Sequence, residues 1–130
     1  MGQFQESLAI DPDFADAHYN LGVPYQKVKS YDRALDEFHE SVRLRPDDGA
    51  YQFALGNAYF HLQRYEEATK AFAAVMERAP DHTKAQYSLA VSYEKLGMTA
   101  EAVAAWRHYL ELDNTSVWAV EARKHLKNLK

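Results

Sequence analysis

The chain has 130 residues, enough for one domain with a core but small for an enzyme with a deep pocket. It is 47% hydrophobic and 26% charged, too apolar for a disordered tail, and its lack of cysteine excludes disulfides without revealing the redox compartment. A net charge of −4 argues against general nucleic-acid binding, and no apolar run approaches the roughly 20 residues that span a bilayer.

The opening residues MGQFQESLAI lack a basic stretch followed by an apolar one, so they do not read as a secretory signal. We expect a cytoplasmic chain, cut from a longer protein. Residues 1–11 predict a helix with Phe4 and Leu8 on one face, closed by Asp11-Pro12, because proline biases the residue before it away from helix. Further helices are predicted at 15–28 and Tyr31–Leu44, closed by Arg45-Pro46, and at 50–62 and 65–78, closed by Ala79-Pro80. Two more follow at 83–96 and 99–112, then Asp113-Asn114 and a last helix over about 117–129. Apolar residues recur at i, i+3, i+4 and i+7 throughout, with no strand-like alternation. Asp47/Asp48, Asp81 and Thr115/Ser116 stand where helix N-caps are wanted. Residues 117–130 carry +3, leaving −7 on the other 116; cations in the last turns of a terminal helix complement its dipole.

The helices repeat. Residues 15–48, 49–82 and 83–116 align at a period of 34, placing together Leu21, Leu55 and Leu89, then Gly22, Gly56 and Ala90, then Tyr25, Tyr59 and Tyr93. In the second half of each unit Ala34, Ala68 and Ala102 coincide, as do Phe38, Phe72 and Trp106, and the units end on Pro46, Pro80 and Asn114. The small residues at the eighth and twentieth positions suit a close crossing of two antiparallel helices, and the aromatics suit the wedge between neighbouring hairpins. No single hairpin buries its apolar face alone, so such units are stable by stacking.

This pattern resembles the tetratricopeptide repeat family. The resemblance covers 15–116, and residues 1–12 look like the second half of an earlier repeat. It implies an all-α, right-handed superhelical solenoid of α-hairpins: a truncated repeat at 1–12, three repeats at 15–48, 49–82 and 83–116, and a capping helix at 117–130. In that family, positions 2, 5, 6, 9, 12 and 13 of each repeat line a concave peptide-binding groove. Carried over, these are Asp16, Tyr19, Asn20, Val23, Gln26 and Lys27 in the first repeat. The second gives Ala50, Phe53, Ala54, Asn57, Phe60 and His61, and the third Lys84, Tyr87, Ser88, Val91, Glu94 and Lys95. The aromatics Tyr19, Phe53 and Tyr87 recur at one offset and are the natural anchors for an extended peptide or a partner helix. Of the five places where some members hold Lys or Asn or Arg to clamp the C-terminal carboxylate of heat-shock chaperones, only Lys84 matches; Tyr19, Val23, Ala54 and Ser88 depart. A chaperone-tail clamp is therefore disfavoured. The asparagine ladder of sugar-transferase repeat domains is matched only by Asn20.

Three departures stand out. Pro24 falls inside a helix where the other copies have Ala58 and Ser92, and removes the hydrogen bond to the Asn20 carbonyl, at about 3 kcal/mol or a kink. Tyr109 replaces Ser41 and Val75 at the end of the array. In the terminal helix, Trp118, Val120, Ala122, Leu126 and Leu129 are expected to cover the last hairpin as a solvating cap.

Signs of chemistry are sparse. Six histidines at 18, 39, 61, 82, 108 and 125 form no i, i+3 or i+4 pair, and Glu121/His125 and His108/Glu111 supply only two ligands each. We expect no metal, no cofactor and no catalysis, but a module that binds a protein or peptide. The alternative is a self-assembling scaffold: a lone second helix at the N-terminus leaves Phe4 and Leu8 to associate with another copy.

Overall fold

The computed structural model of the chain describes residues 12–129. These form α1 (Pro12–Lys27), α2 (Tyr31–Leu44), α3 (Gly49–His61), α4 (Tyr65–Arg78), α5 (Thr83–Lys95), α6 (Thr99–Leu112) and α7 (Val117–Leu129), with no strand among the described residues. Each helix packs on the next in sequence, and α3 also touches α5, so the array is a stack of three helix pairs closed by α7. Residues 1–11, with Phe4 and Leu8, lie outside the described residues.

The seven helices expected from residue 15 onward are present, with shifted ends. Pro12 opens α1 three residues before the expected start, since a proline at the first helical position lacks only an N–H that would be unpaired anyway. Pro24 does not interrupt α1, and the Val28 N–H still bonds the Pro24 carbonyl at 3.2 Å. Asp48 caps α3 by accepting from the N–H of Ala50 at 2.9 Å and of Tyr51 at 3.3 Å. At α5 the cap is His82 rather than Asp81: its Nδ1 accepts from the Ala85 N–H at 3.1 Å.

The turn inside each pair is one geometry used three times. Lys29, Gln63 and Gly97, spaced by the 34-residue period, have φ of 65°, 64° and 74°. The following N–H groups of Ser30, Arg64 and Met98 close back onto the carbonyls of Tyr25, Tyr59 and Tyr93 at 2.8, 2.8 and 3.0 Å, a Schellman-type ending. A left-handed residue is cheap only for glycine, so two of the three turns hold their conformation against a side-chain penalty.

The core repeats as well. Phe38, Phe72 and Trp106 are fully buried, as are Ala34, Ala68 and Ala102. A Cβ on Gly22 would lie 2.6 Å from the Phe38 ring, and one on Gly56 2.7 Å from the Phe72 ring. The glycines therefore admit an aromatic ring from the second helix, not a bare backbone crossing as expected from sequence. Trp106 faces Ala90 instead, and its indole N–H donates to Glu94, one turn further along α5. Each ring also meets the next pair: Phe38 packs with Leu55 and Ala58, and Phe72 with Leu89.

Two expectations for the stack need correction. Leu55 and Leu89 are buried against the second helix of the preceding pair, but Leu21 is 54% exposed, with no preceding pair among the described residues to cover it. On α7 the buried residues are Ala119 and Ala122, with Leu126 and Leu129 packed against the Trp106 cluster. Trp118 (59%) and Val120 (47%) are exposed, because α7 docks through its short side chains.

Phe72→Ala is expected to cost about 3–5 kcal/mol through the cavity it leaves, read by equilibrium denaturation; a loss under about 1 kcal/mol would refute the interface. Gln63→Gly is expected to raise stability by about 1 kcal/mol, by relieving the left-handed penalty, whereas Gly97→Ala lowers it in the same assay.

Candidate peptide-binding groove

The first helices of the three pairs, α1, α3 and α5, carry the aromatic anchors foreseen from the repeat register. Each is half-buried and rests on the large aromatic of its own pair. Tyr19 lies 5.6 Å from Phe38, Phe53 lies 5.8 Å from Phe72, and Tyr87 lies 4.8 Å from Trp106, by ring centroids. Each also meets a ring further along the stack: Tyr51 of α3 at 5.3 Å, His82 at the N-cap of α5 at 5.1 Å and Trp118 of α7 at 5.6 Å. The anchors are thus partly structural, wedged between successive units with one side left open.

The other expected groove residues divide by exposure. Asp16, Asn20, Lys27, Ala50, Lys84 and Lys95 are exposed; Val23, Gln26, Asn57, Ser88 and Val91 are half-buried. Ala54 is buried in the cluster around Phe38 and presents no surface, because the tight α2–α3 packing takes it up. Phe60 packs on Tyr65 at 5.3 Å. His61 is exposed and stacks on Tyr31 at 4.3 Å; burial of its ring and the nearby Lys29 charge lower its pKa. Glu94 is committed to two partners, the Trp106 indole N–H and His125 Nδ1 at 2.8 Å. That His125 bond replaces the Glu121/His125 pairing suggested by spacing, and the imidazole stacks on Trp106 at 4.7 Å.

At the α7 end a cavity of about 440 Å³ opens between Phe53, Lys84, Tyr87, Ser88 and Thr83 on one side and Tyr109, Asp113, Ser116 and Trp118 on the other. Phe53, Lys84, Tyr87 and Ser88 were foreseen; the remaining five were not. Trp118 was legible in principle, since it stands 34 residues after Lys84 at the second position of a repeat. Tyr109 was visible as a departure, while Asp113 and Ser116 carry no sequence signal beyond capping.

A small hydrogen-bond hub holds this end. Asp113 accepts from the Tyr109 hydroxyl at 2.8 Å, from the Ser116 hydroxyl, and from the backbone N–H of Ser116 at 3.2 Å and Thr115 at 3.3 Å. Ser116 Oγ in turn caps α7, accepting from the N–H of Trp118 at 3.1 Å and Ala119 at 3.3 Å. The bonds from Ser116 and Tyr109 hold the Asp113 carboxyl down at about 2. Burial, then the bond and charge of Asp113, push the Tyr109 hydroxyl up to about 12. Burial also raises the pKa of Tyr87, helped by the Glu121 and Glu94 charges. Among the described residues no three His, Cys, Asp or Glu side chains converge as metal ligands, and no helix is long and apolar enough to cross a membrane.

Two family models, each described as tetratricopeptide repeat, match residues 25–81 and 59–124, the second covering half of the chain. The chain belongs to the tetratricopeptide repeat family. No curated protein matches it. Among solved structures it is similar to the first TPR domain of Spaghetti (RPAP3) bound to the HSP90 peptide SRMEEVD, with 22% identity, TM-score 0.82, and coverage of 92% of this chain and 93% of that one. It is also similar to the type III secretion chaperone SycD of Yersinia enterocolitica in complex with a peptide of the translocator YopD, at 16% identity, TM-score 0.83 and coverage of 90% and 92%. A point mutant of MamA matches at 31% identity, TM-score 0.76, over 83% of this chain and 79% of that one.

The folded pKa of Asp113 lies below the ordinary 3.8, so its contribution to the α6–α7 junction is fully present above about pH 4 and lost as pH falls through about 2. That of Tyr109 lies above 10, so its contribution is present below about pH 10 and lost as pH rises through about 12. NMR titration is expected to place the Asp113 midpoint near 2. Ser116→Ala should move that midpoint back towards 3.8. An ordinary midpoint in the unaltered chain would refute the hub.

Proposed function

We propose that the chain is a non-catalytic interaction module that holds a peptide or a partner helix along the side formed by α1, α3 and α5. The observation that carries this reading is the set of half-buried aromatics Phe53 and Tyr87 on an open, largely apolar cavity of about 440 Å³, within the range of single-ligand pockets. Rigid aromatics resting on a packed core lose little entropy when a partner covers them, which is why such residues dominate binding energy. Tyr19, Asn20, Val23, Lys27, Asn57, Phe60, His61, Val91 and Lys95 extend the surface beyond the cavity. Two proteins of similar fold are seen with peptides bound, an HSP90 peptide and a translocator peptide, which supports a peptide as the class of ligand. Tyr19, Val23, Ala54 and Ser88 stand where a chaperone-tail clamp needs Lys, Asn or Arg, so a terminal-carboxylate clamp is not the mode proposed.

One observation favours a second reading, a scaffold of stacked copies. Leu21 (54%) and Val28 (72%) are exposed at the α1 end, on the stripe whose copies are covered in the later pairs. The two readings separate by mutation. Phe53→Ala with Tyr87→Ala is expected to abolish capture of partner proteins by the chain as bait, each change costing more than about 1 kcal/mol of binding. Size by light scattering should stay unchanged and circular dichroism should report an intact fold. If the variant instead lowers the size of an oligomer, the scaffold reading replaces the first.

A further inference from the structure

We infer that the cavity at the α7 end is a cage for a quaternary ammonium group, the trimethylated side chain of a lysine in the bound peptide. The inference rests on the groove reading and deepens it.

Four helices each supply an aromatic ring to the cavity: Phe53 from α3, Tyr87 from α5, Tyr109 from α6 and Trp118 from α7. Tyr87 stands at 79° to both Tyr109 and Trp118, with centroids 5.3 and 5.6 Å away. The rings therefore turn around the space instead of stacking into one flat wall. Aromatic faces carry negative potential, tryptophan's most strongly, and a cation among several of them is held without a hydrogen bond. Trp118 is 59% exposed, which leaves the strongest of these rings open to a ligand.

The lining also holds an anion with no acceptor capacity left. Asp113 takes two donors on Oδ1, the N–H groups of Thr115 and Ser116, and two on Oδ2, the hydroxyls of Tyr109 and Ser116. All four are neutral, so the carboxylate keeps its charge, and together they fill its roughly four lone-pair positions. Negative charge also reaches the rings. Besides burial, the Glu121 and Glu94 charges raise the pKa of Tyr87, and the bond and charge of Asp113 raise that of Tyr109. Lys84 is the cation of the lining, but it is exposed, with Asp81 three residues earlier in the turn. A lysine so placed keeps its ammonium in water.

A negative field without a free acceptor discriminates among cations. A primary ammonium or a guanidinium entering the cavity gives up water and gains no acceptor from this carboxylate, which costs free energy. A trimethylammonium group has no N–H to satisfy, and its methyl groups suit apolar walls. Phe53 and Tyr87 belong both to the cavity and to the aromatic row of the groove, so a peptide lying along that row passes the cavity mouth.

The test is an NMR titration of the full chain with a short uncharged host peptide in three forms. These carry lysine, trimethyl-lysine, or the neutral isostere in which carbon replaces the charged nitrogen. The trimethylated form is expected to shift the Trp118 indole N–H and to bind at least about tenfold more tightly than either of the others. Trp118→Ala, at an exposed site, should leave thermal unfolding unchanged and abolish that advantage. Free choline should move the same signals with weaker binding. Equal binding of the isostere or of unmodified lysine would overturn the inference and leave the groove reading standing, as would an advantage that survives Trp118→Ala. Choline binding as tightly as the peptide would overturn it too, since the cavity would then serve a free cation. If none of the ligands binds, the inference falls, and the partner-capture comparison with the Phe53→Ala, Tyr87→Ala double variant decides the groove reading separately.

Discussion

Everything in this array depends on one contact, an aromatic ring of the second helix set against the smallest residue of the first. Phe38 over Gly22 and Phe72 over Gly56 leave no room for even a methyl group. The same ring reaches the next pair, Phe38 to Leu55 and Phe72 to Leu89. One side chain therefore closes its own hairpin and joins it to its neighbour. That is how units that cannot bury a face alone become stable together.

The third pair solves the same problem with different residues, and the difference builds the end of the molecule. Ala90 occupies the glycine position, and Trp106 replaces phenylalanine with an N–H that needs a partner once buried. Glu94 supplies it and also binds His125 of α7. Tyr109, in place of Ser41 and Val75, brings a hydroxyl that Asp113 accepts, and Asp113 organises the turn into α7. The last hairpin thus adds polar contacts to the apolar packing of Ala119, Ala122, Leu126 and Leu129 where it hands over to α7. Tyr109, Asp113, Ser116 and Trp118 line one side of the cavity, so the turn into α7 and the cavity wall are one construction.

The exposed surface follows from what the core demands. Tyr19, Phe53 and Tyr87 are fixed from below by Phe38, Phe72 and Trp106, so their outer sides present rigid apolar area. Between them Asn20, Ala54 and Ser88 share a position, as do Val23, Asn57 and Val91, but of these only Asn20 is exposed and Ala54 is buried in the cluster around Phe38.

Periodicity by itself determined the helices, the pairing and the residues that stack, because local helix formation and a fixed 34-residue register depend only on chain order. The family resemblance, carried over on that register, assigned Phe53, Lys84 and Tyr87 to one side, and all three line the cavity. Sequence pattern misplaced Ala54, Leu21 and Trp118, whose burial is set by what lies across from them. Ala54 is covered by α2, Leu21 has no described helix over it, and Trp118 is turned out because Ala119 and Ala122 let α7 sit close. Nor could spacing join Tyr109, Asp113 and Ser116 to the cavity, since these residues come to line it only when the turn folds back beside α5. Tertiary structure decided the site: which side of a helix is open depends on its neighbours, and those are absent from any single segment.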